Sequence, residues 1–432
     1  MPKIALIGAG SLGFGKRLIV DILSFPELAD STFSLMDINK KTLAVTKATA
    51  DRIVKQMKAP ARIESTTNRR KALDGADYVI SMFRAGDMEV EKAEVLPPLE
   101  KHGLRQTVAD TVSYGAVCRS LRTVPVMLGT AHDMEELCPD AWWLNYTNPM
   151  AINCWAVFKA TKAKIVGLCH SVQGTSQQLA NYIGAPYGEI NFKTAGINHM
   201  AWVLKFEHKG KDAYPRLFKA MENPEIFKKD TVRFTIMKHF GYFVTESTRH
   251  MAEYTPYFLQ HDEIVAAFNL APLGPERYPN WKKSRDDRAR QELKAAKGKA
   301  DLPINRSHEY GAYIIHSLFT GMERCIYGSV ENTGLITNLP RGCAVEVPCL
   351  VNKNGIQGCY VGEIPPQCAA LNRTNINVQD LTVRAILERN REYIYHACML
   401  DPNTAAVCTL DEIRALLDER LKKHRNYMPL VR

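Results

Sequence analysis

The stretch KIALIGAGSLG, residues 3–13, decides the fold of this chain. Its first five residues form an apolar β-type run, and the glycines that follow lead into a segment with the apolar spacing of an amphipathic helix. The first glycine allows a tight turn, and the second lets the backbone approach a pyrophosphate at the helix N-terminus. This strand–turn–helix context predicts a dinucleotide-binding loop that includes Gly8, Gly10, Ser11 and Gly13.

The position of one carboxylate, Asp37, favours one of the two nicotinamide dinucleotides over the other. The next apolar run, residues 32–36, ends in Asp37, which lies 24 positions beyond Gly13. An acid at this position accepts hydrogen bonds from ribose hydroxyls and repels a 2′-phosphate, so the sequence favours NAD+ over NADP+. The alternative is that Asp37 caps the helix that begins near residue 39.

Further apolar runs extend this pattern into a sheet. Residues 78–82 and 142–145 are typical of strands, and alternating strands and helices predict an α/β fold with a Rossmann-type, doubly wound parallel sheet. At 432 residues the chain is longer than one core usually grows. We therefore expect an NAD-binding domain over residues 1–192. A mixed α+β, mainly helical C-terminal domain over residues 193–432 would serve catalysis, substrate binding and oligomerisation, as in lactate and malate dehydrogenases.

Composition excludes several classes of protein. No apolar stretch approaches the roughly 18 residues of a membrane helix, so no membrane association is expected. The N-terminus shows no signal-peptide pattern, which favours the cytoplasm. The net charge is +10, but the basic residues are spread along the chain, so we expect no nucleic acid partner. The 11 cysteines show no C-x-x-C spacing and are expected to be reduced thiols.

Two polar pairs offer ligands for a metal ion. Cys169 and His170 follow the apolar run of residues 165–168, and Asn198 and His199 follow about thirty positions later. A thiolate and an imidazole on neighbouring elements form half of a coordination shell for a divalent transition metal, with positions left open for substrate oxygens. The alternative is a buried free cysteine beside structural histidines.

Other polar residues fall where a ligand would bind. Asn145 and Asn148 follow a predicted parallel strand, whose carboxyl end faces the ligand crevice in open α/β sheets; the alternative is that they are turn residues before a proline. Asp110 lies among small and apolar residues, where a carboxylate usually serves a partner. Residues 246–257 are unusually rich in Glu, Arg, His and Tyr for a plain helical segment.

Taken together, these segments resemble glycoside hydrolase family 4, in its α-galactosidase (melibiase) branch. The resemblance extends over nearly the whole chain, and its most specific strings are GLCHSVQ and AGINHM. The segments that carry it are QTVADT (106–111), NYTNPMA (145–151), GLCHSVQ (167–173), AGINHM (195–200), YFVTES (242–247), EYTP (253–256) and NIN (375–377).

The resemblance implies bound NAD+ and a divalent cation, usually Mn2+, and a small sugar as the substrate. It implies oxidation of the substrate at C3, removal of the C2 proton, elimination of the aglycone, addition of water and return of the hydride. This NAD-dependent route differs from the hydrolysis by two carboxylates that most glycosidases use. The family also implies a homo-oligomer, either a dimer or a tetramer.

Roles follow residue by residue from the same resemblance. Cys169 and His199 fall on metal-ligand positions, and Asn148 and Asn198 on substrate positions. Tyr254 is the candidate base, with Tyr257 as the fallback. Asp110 falls where the family has an acid that increases the basicity of that tyrosine.

Two departures from the phosphoglycosidase members affect the expected chemistry. Where they have Cys-Asp, with the Asp as the proton donor, this chain has Cys169-His170, so His170 or a metal-bound water takes that role. An arginine that holds phosphate is replaced by Glu94, whose carboxylate would repel phosphate. We therefore expect an unphosphorylated α-hexoside, with an α-galactoside first, and α-glucosides or α-uronides as alternatives.

Two other functions stay open at the level of sequence. An NAD-dependent 2-hydroxy-acid dehydrogenase of the lactate/malate type would share the dinucleotide loop, although the Cys and His pairs argue against it. A non-catalytic NAD-sensing protein would bind NAD+ without turnover. The identity of the sugar depends on loop geometry that the sequence does not reveal.

Overall fold

The computed structural model describes residues 1–11, 13–307 and 309–423. All eleven cysteines are free thiols, as expected. No helix in these ranges combines the length and apolarity needed to cross a membrane. The strands are β1 Lys3–Ile7, β2 Thr32–Met36, β3 Arg62–Thr66, β4 Tyr78–Ser81, β5 Trp142–Asn145, β6 Lys164–Gly167, β7 Ile190–Ile197, β8 Met200–His208, β9 Lys211–Asp212, β10 Arg324–Glu331, β11 Ala344–Asn352 and β12 Gly355–Gly358.

Helices cover both faces of these strands and form most of the second half of the chain. Their bounds are α1 Phe14–Leu23, α2 Lys40–Met57, α3 Arg69–Leu73, α4 Met88–His102, α5 Ser113–Leu137, α6 Met150–Ala160, α7 Ser171–Tyr182, α8 Tyr214–Met221, α9 Pro224–Phe227, α10 Thr231–Phe240, α11 Thr248–Glu253, α12 Asp262–Ala267, α13 Arg277–Ala296, α14 Tyr310–Thr320, α15 Pro366–Leu387, α16 Glu392–Leu400, α17 Pro402–Ala405 and α18 Leu410–Lys423.

The first six strands form the predicted doubly wound sheet. They are all parallel and lie in the order β3-β2-β1-β4-β5-β6, which is the strand order of dinucleotide-binding folds. The sequence did not predict β3, because its RIEST segment is mostly exposed and lacks an apolar face. The run at residues 78–82 is therefore the fourth strand of the chain and not the third. The predicted fold class is confirmed.

The same sheet continues beyond β6 with antiparallel strands from the second half of the chain, in the order β10-β11-β7-β8-β9. Strand β6 meets β10 through the pair Gly167 and Ser329, and β11 meets β7 through the pair Glu346 and Gly196. Two strands from late in the sequence therefore separate β6 from the β7–β8 hairpin. Residue 192 lies inside β7, and the proposed division at 192/193 stays a prediction.

Two asparagines of helix α15 form hydrogen bonds with the β7–β8 hairpin and with the end of α11. Asn372 on this helix donates to the Met200 carbonyl at 2.7 Å and accepts from Trp202 Nε1 at 3.0 Å. Asn375, one turn later, donates to the Tyr254 carbonyl at 3.1 Å. Both asparagines are fully buried. Because buried amides keep their hydrogen bonds, these contacts fix the hairpin and the end of α11 relative to each other.

Glu94 does not face a ligand, and this corrects the interpretation made from the sequence. Its carboxylate is buried between α4, α5 and α18 and forms ion pairs with Arg122 at 3.0 Å and Arg420 at 2.8 Å. Two guanidinium groups neutralise a charge that is sealed inside the protein. Glu94 is therefore not available to repel a phosphate, and its role is to join three helices.

Replacing Glu94 by Gln should lower the free energy of unfolding by about 3–5 kcal/mol, because Arg122 and Arg420 would stay buried without a counter-charge. Denaturant unfolding followed by tryptophan fluorescence measures the change. The matched control is Glu100→Gln, an exposed glutamate on the same helix, which should change the value by less than about 0.5 kcal/mol. Equal stability of the two variants would show that this buried ion cluster does not hold the helices.

Candidate active site

The glycine loop after β1 has the backbone that the sequence predicts. Gly8 and Gly13 have φ angles of +87° and +90°, which residues with a side chain rarely adopt. A Cβ at Gly10 would lie 2.6 Å from both Asp37 Oδ2 and Thr42 Oγ1. Glycine is therefore required at position 10, because the loop passes directly against the end of β2. Ser11 follows in this loop and donates its backbone N–H to the Gly8 carbonyl at 3.1 Å.

Asp37 is the acceptor at the end of β2 and not the cap of α2. Its carboxylate accepts from the Gly10 N–H at 2.9 Å and from the Asn39 N–H at 2.8 Å. Asn39 is the capping residue, since its side chain accepts from two N–H groups in the first turn of α2. Ile38, between them, has 86% of its surface exposed. The sequence analysis missed this apolar side chain beside the ribose position.

Cys169 and His199 come together from different parts of the sheet. Cys169 follows β6, His199 lies in the β7–β8 turn, and Cys169 Sγ is 3.1 Å from His199 Nε2. Burial raises the pKa of the Cys169 thiol to about 12. Burial, and then the positive charge of His250, lowers the pKa of His199 to about 4. Without a cation the pair is a neutral thiol beside a neutral imidazole.

Unpaired polar atoms surround this pair. Among the buried side-chain atoms without a hydrogen-bond partner in the described residues are Ser171 Oγ, Asn198 Oδ1, His199 Nδ1 and Glu346 Oε2. Buried polar groups normally have partners, so their concentration beside Cys169 marks a ligand site. The described part of the chain holds no group of three or more His, Cys, Asp or Glu side chains suited to a metal ion.

Glu346 is a residue of this site that the sequence analysis did not identify. It lies on β11, and its carboxylate accepts from Asn198 Nδ2 at 3.2 Å. Burial raises its pKa to about 7. The only signal in the sequence is an acid inside the apolar run of residues 343–351, at a position where a strand would bury it.

His250 is the second missed residue, and it contacts His199 and lines a cavity. Its ring packs against the His199 ring with 4.5 Å between centroids. Its Nδ1 pairs with the Glu246 carboxylate, and its Nε2 lies 3.7 Å from Asp110 Oδ1. Asn148 completes the group by donating to Asp110 Oδ2 at 3.2 Å. Burial lowers the pKa of His250, but its interactions with the two carboxylates outweigh burial and raise the value to about 10.

The predicted base, Tyr254, is not among the residues that line the cavity beside His250, and neither are Cys169 and His199. The side chain is fully buried, and burial raises its pKa well above 10. Its hydroxyl accepts from the His199 N–H at 3.0 Å and donates to the Asn198 carbonyl at 3.0 Å. These bonds hold the turn that carries His199. The fallback, Tyr257, is 47% exposed at the surface.

His170 is also separate from the His250 cluster. Its Nε2 pairs with the Glu309 carboxylate, and the ring lies edge-on to Phe14 on the side of the glycine loop. Arg17 is 3.9 Å from the same carboxylate. The structure therefore brings Cys169, Asn198, His199, Asp110 and Asn148 into one neighbourhood, and it directs the imidazole of His170 elsewhere.

A cavity of about 720 Å³ opens beside His250. Asp110, Glu246 and His250 line it, as do Arg119, Arg249 and Arg277. Tyr278 and Trp281 from α13 also line it. A volume of this size accommodates a small polar ligand.

Comparison with known proteins identifies the class of this site. Residues 3–185 match the model described as Family 4 glycosyl hydrolase, and residues 194–404 match that of the Family 4 glycosyl hydrolase C-terminal domain. The chain belongs to glycosyl hydrolase family 4. Among its relatives, the α-galactosidase of Bacillus subtilis is 40% identical, covering 99% of both chains. The α-galactosidase of Rhizobium meliloti is 37% identical, covering 99% of this chain and 89% of the relative.

Solved structures agree with the family at the level of the fold. The lplD protein of Bacillus subtilis has a TM-score of 0.88 at 24% identity, covering 98% of this chain and 100% of that one. A 6-phospho-α-glucosidase from gut microorganisms, in complex with NAD and Mn2+, has a TM-score of 0.81 at 19% identity, covering 99% and 98%. A Plasmodium falciparum malate dehydrogenase has a TM-score of 0.53 at 14% identity, covering 92% and 100%. The family 4 fold thus shares the dehydrogenase architecture, and the chain is a glycoside hydrolase by family.

In the metal-free protein, the imidazole of His250 should titrate near pH 10, because two carboxylates stabilise its cation. Its pKa in the unfolded chain is near 6.5, so its contribution to stability is complete below about pH 6.5 and is lost as the pH rises through about 10. Histidine-ring NMR on chelator-treated protein measures this. Asp110→Asn should lower the pKa, whereas Asp140→Asn on an exposed turn should not. Titration of wild-type His250 near 6.5 would contradict the ion pairing.

Proposed function

We propose that this family 4 glycosidase hydrolyses unphosphorylated α-hexosides, α-galactosides first, with NAD+ and Mn2+ or another divalent cation. The observation that carries the proposal is the Cys169–His199 pair set against the Asp110–His250–Glu246 group at the end of a cavity. The relatives at 40% and 37% identity are named α-galactosidases, which supports the sugar. The proposal that the substrate carries no phosphate is supported by these relatives and not by Glu94, because Glu94 is buried in ion pairs away from the cavity.

The glycine loop and the end of β2 fit NAD+. The glycine loop leads directly into the N-terminus of α1, where backbone N–H groups favour a pyrophosphate. The Asp37 carboxylate is suited to the ribose hydroxyls and opposes a 2′-phosphate. The exposed Ile38 offers an apolar surface for adenine. The dinucleotide bound in the 6-phospho-α-glucosidase structure agrees with this assignment.

Cys169 and His199 fit a divalent cation. Their donor atoms are 3.1 Å apart and belong to residue types that bind transition metals, and unpaired polar atoms lie around them. Because the thiol has a raised pKa, cation binding must release its proton and should weaken at low pH. When bound, NAD+ would supply the hydride acceptor at C3, with NADH as the donor that returns it, and the cation would supply a Lewis acid that makes the C2 proton more acidic.

Proton transfer at C2 falls to a side chain that lines the cavity next to the cation ligands. His250 meets this requirement, because its ring contacts His199 and faces the cavity wall. Asp110 and Glu246 orient the ring, and Asn148 holds Asp110. A nearby cation lowers the pKa of the imidazole toward the neutral form that a base requires. In this proposal Tyr254 positions His199 and does not take the proton.

Three parts of the sequence analysis stay predictions. His170 is 55% exposed and paired with Glu309, so its role as the proton donor depends on how the leaving sugar lies. The homo-oligomer, dimer or tetramer, and the cytoplasmic location are likewise retained as predictions. None of the three affects the chemistry assigned to the cavity.

Hydrolysis of p-nitrophenyl α-galactoside should require both NAD+ and Mn2+, because each supplies a separate step at C3 and C2. The assay runs under reducing conditions with each component omitted in turn. Activity that needs neither component would contradict the redox route. Turnover of a 2-hydroxy acid with NADH formation, and of no glycoside, would instead favour the dehydrogenase alternative.

Binding measurements provide the controls for this experiment. Cys169→Ser and His199→Ala should lose Mn2+ binding by electron paramagnetic resonance and keep NAD+ binding by calorimetry. The matched control is Cys325→Ser, an exposed cysteine outside the site, which should keep both. Retention of Mn2+ binding by either site variant would move the cation elsewhere.

Exchange of the substrate C2 proton with solvent deuterium should separate His250 from Tyr254. His250→Asn should slow exchange by at least ~100-fold, the usual contribution of a general base. Tyr254→Phe should keep exchange within ~10-fold at saturating Mn2+, because it removes hydrogen bonds that hold the turn and not the proton acceptor. The opposite pattern would restore Tyr254 as the base.

A further inference from the structure

The loop that carries Asp110 has no regular structure to hold it in place. It connects α4 to α5, and its described residues 103–112 form neither a helix nor a strand. Gln106, Thr107 and Ala109 are buried in this loop. Ala109 has a φ angle of +57°, in the left-handed region that residues with a side chain rarely adopt. Because buried backbone N–H groups need partners, some other part of the protein must supply them here.

Glu253 supplies these partners. Its side chain is 1% exposed and reaches the loop from the last residue of α11. Its Oε1 atom accepts from the Val108 N–H at 2.7 Å, from the Ala109 N–H at 3.0 Å and also from the Thr107 N–H. Successive backbone N–H groups that converge in this way form an anion-binding concavity. In this protein, the concavity is filled by one of its own carboxyl groups.

The helix that carries Glu253 also places His250 against Asp110. His250 comes three positions earlier on α11, and its Nε2 lies 3.7 Å from Asp110 Oδ1. A further contact joins the same two elements, since Thr107 Oγ1 donates to the Arg249 carbonyl at 2.6 Å. A shift of the loop relative to α11 would therefore change the distance between the Asp110 carboxylate and the His250 ring.

The other contacts of the loop leave its middle to Glu253. Gln106 fixes the beginning, because its side chain accepts from the Gly115 N–H at 2.8 Å and donates to the Glu94 carbonyl at 3.2 Å. The backbone N–H groups of residues 107–109 bind Glu253 instead. Glu253 is not among the residues that line the cavity. Its influence on a ligand there must pass through the loop and Asp110.

We propose that Glu253 is a positioning residue of this enzyme, which sets the place of Asp110, and thereby the orientation of His250, by binding the backbone of residues 107–109. The inference rests on the proposed function, in which Asp110 helps to orient the base. What the loop requires of Glu253 is an acceptor oxygen with the right reach. Burial raises the pKa of Glu253 to about 7, so its neutral form is accessible near neutral pH. A neutral acceptor of the same length, glutamine, should therefore replace it better than the shorter aspartate.

The test compares three substitutions at this position, with NAD+ and Mn2+ bound. Glu253→Gln keeps the length and an acceptor oxygen, so kcat for p-nitrophenyl α-galactoside should stay within ~10-fold of the wild type. Glu253→Asp is too short to reach all three N–H groups, and Glu253→Ala has no acceptor. Both should lower kcat and C2 deuterium exchange by roughly 10- to 100-fold, the cost of misplacing a catalytic group by ~1 Å. If Glu253→Ala does not fold, Glu253→Asp decides, and a rate equal to that of the wild type would overturn the inference.

A double-mutant cycle separates positioning from a general loss of structure. In an Asp110→Asn background, Glu253→Asp should lower kcat by less than ~3-fold, because the group that it places has already been changed. Losses that simply multiply would show that Glu253 acts by another route and would overturn the inference. The matched control is Glu412→Ala, which removes a carboxylate that accepts from the Thr409 N–H at the start of α18. This control should leave kcat unchanged.

Two structural measurements keep this inference separable from the proposed function. Hydrogen exchange at the amides of residues 107–109 should be at least ~10-fold faster in Glu253→Asp than in the wild type or Glu253→Gln. A crystal structure of Glu253→Asp should show Asp110 displaced by ~1 Å. If no glycoside is hydrolysed, the proposed function fails, and these two measurements decide whether Glu253 places Asp110. Unchanged exchange with an unmoved Asp110 would overturn the inference even in an active glycosidase.

Discussion

The meeting of Cys169 and His199 depends on one arrangement of strands. Strands β10 and β11 come from late in the chain and insert between β6 and the β7–β8 hairpin, so that one continuous sheet supports both residues. The Tyr254 hydroxyl then joins the Asn198 carbonyl to the His199 N–H and holds the turn. With the sheet and this turn in place, Cys169 Sγ and His199 Nε2 lie 3.1 Å apart.

Burial sets the chemistry of the groups that surround this pair. It raises the pKa of Cys169 and Glu346 and lowers that of His199, so that each tends toward its neutral form. His250 behaves in the opposite way, because two carboxylates more than compensate for its burial. The site therefore places a protonated imidazole next to neutral groups, and a bound cation would redistribute these protons. Cation binding at Cys169 and His199, as proposed, would therefore depend on pH.

The cavity and the fold use buried charge in different ways. Glu94 lies between two arginines and completes a closed ion cluster that joins helices. Arg119, on the same helix α5 as Arg122, has no such partner among the described residues and borders the cavity. Arg122 thus has an ion pair with a carboxylate, whereas no ion pair is described for Arg119. This difference is a property of packing and not of local sequence.

Sequence by itself determined the doubly wound sheet, the glycine loop with Asp37, and the family, because strand and helix periodicity and short motifs are local properties of the chain. It also identified Cys169 and His199, which the structure brings together, since each belongs to a recognisable string. Only the tertiary structure decided that His250 lines the cavity and Tyr254 does not. The two residues are four positions apart, His250 in helix α11 and Tyr254 just after its last residue, so the local sequence does not distinguish them. Packing decides which of the two side chains reaches the cavity. Likewise, Glu346 and the unpaired Arg119 could not be recognised beforehand. Their significance comes from residues far away in sequence that pack beside them or fail to pair with them.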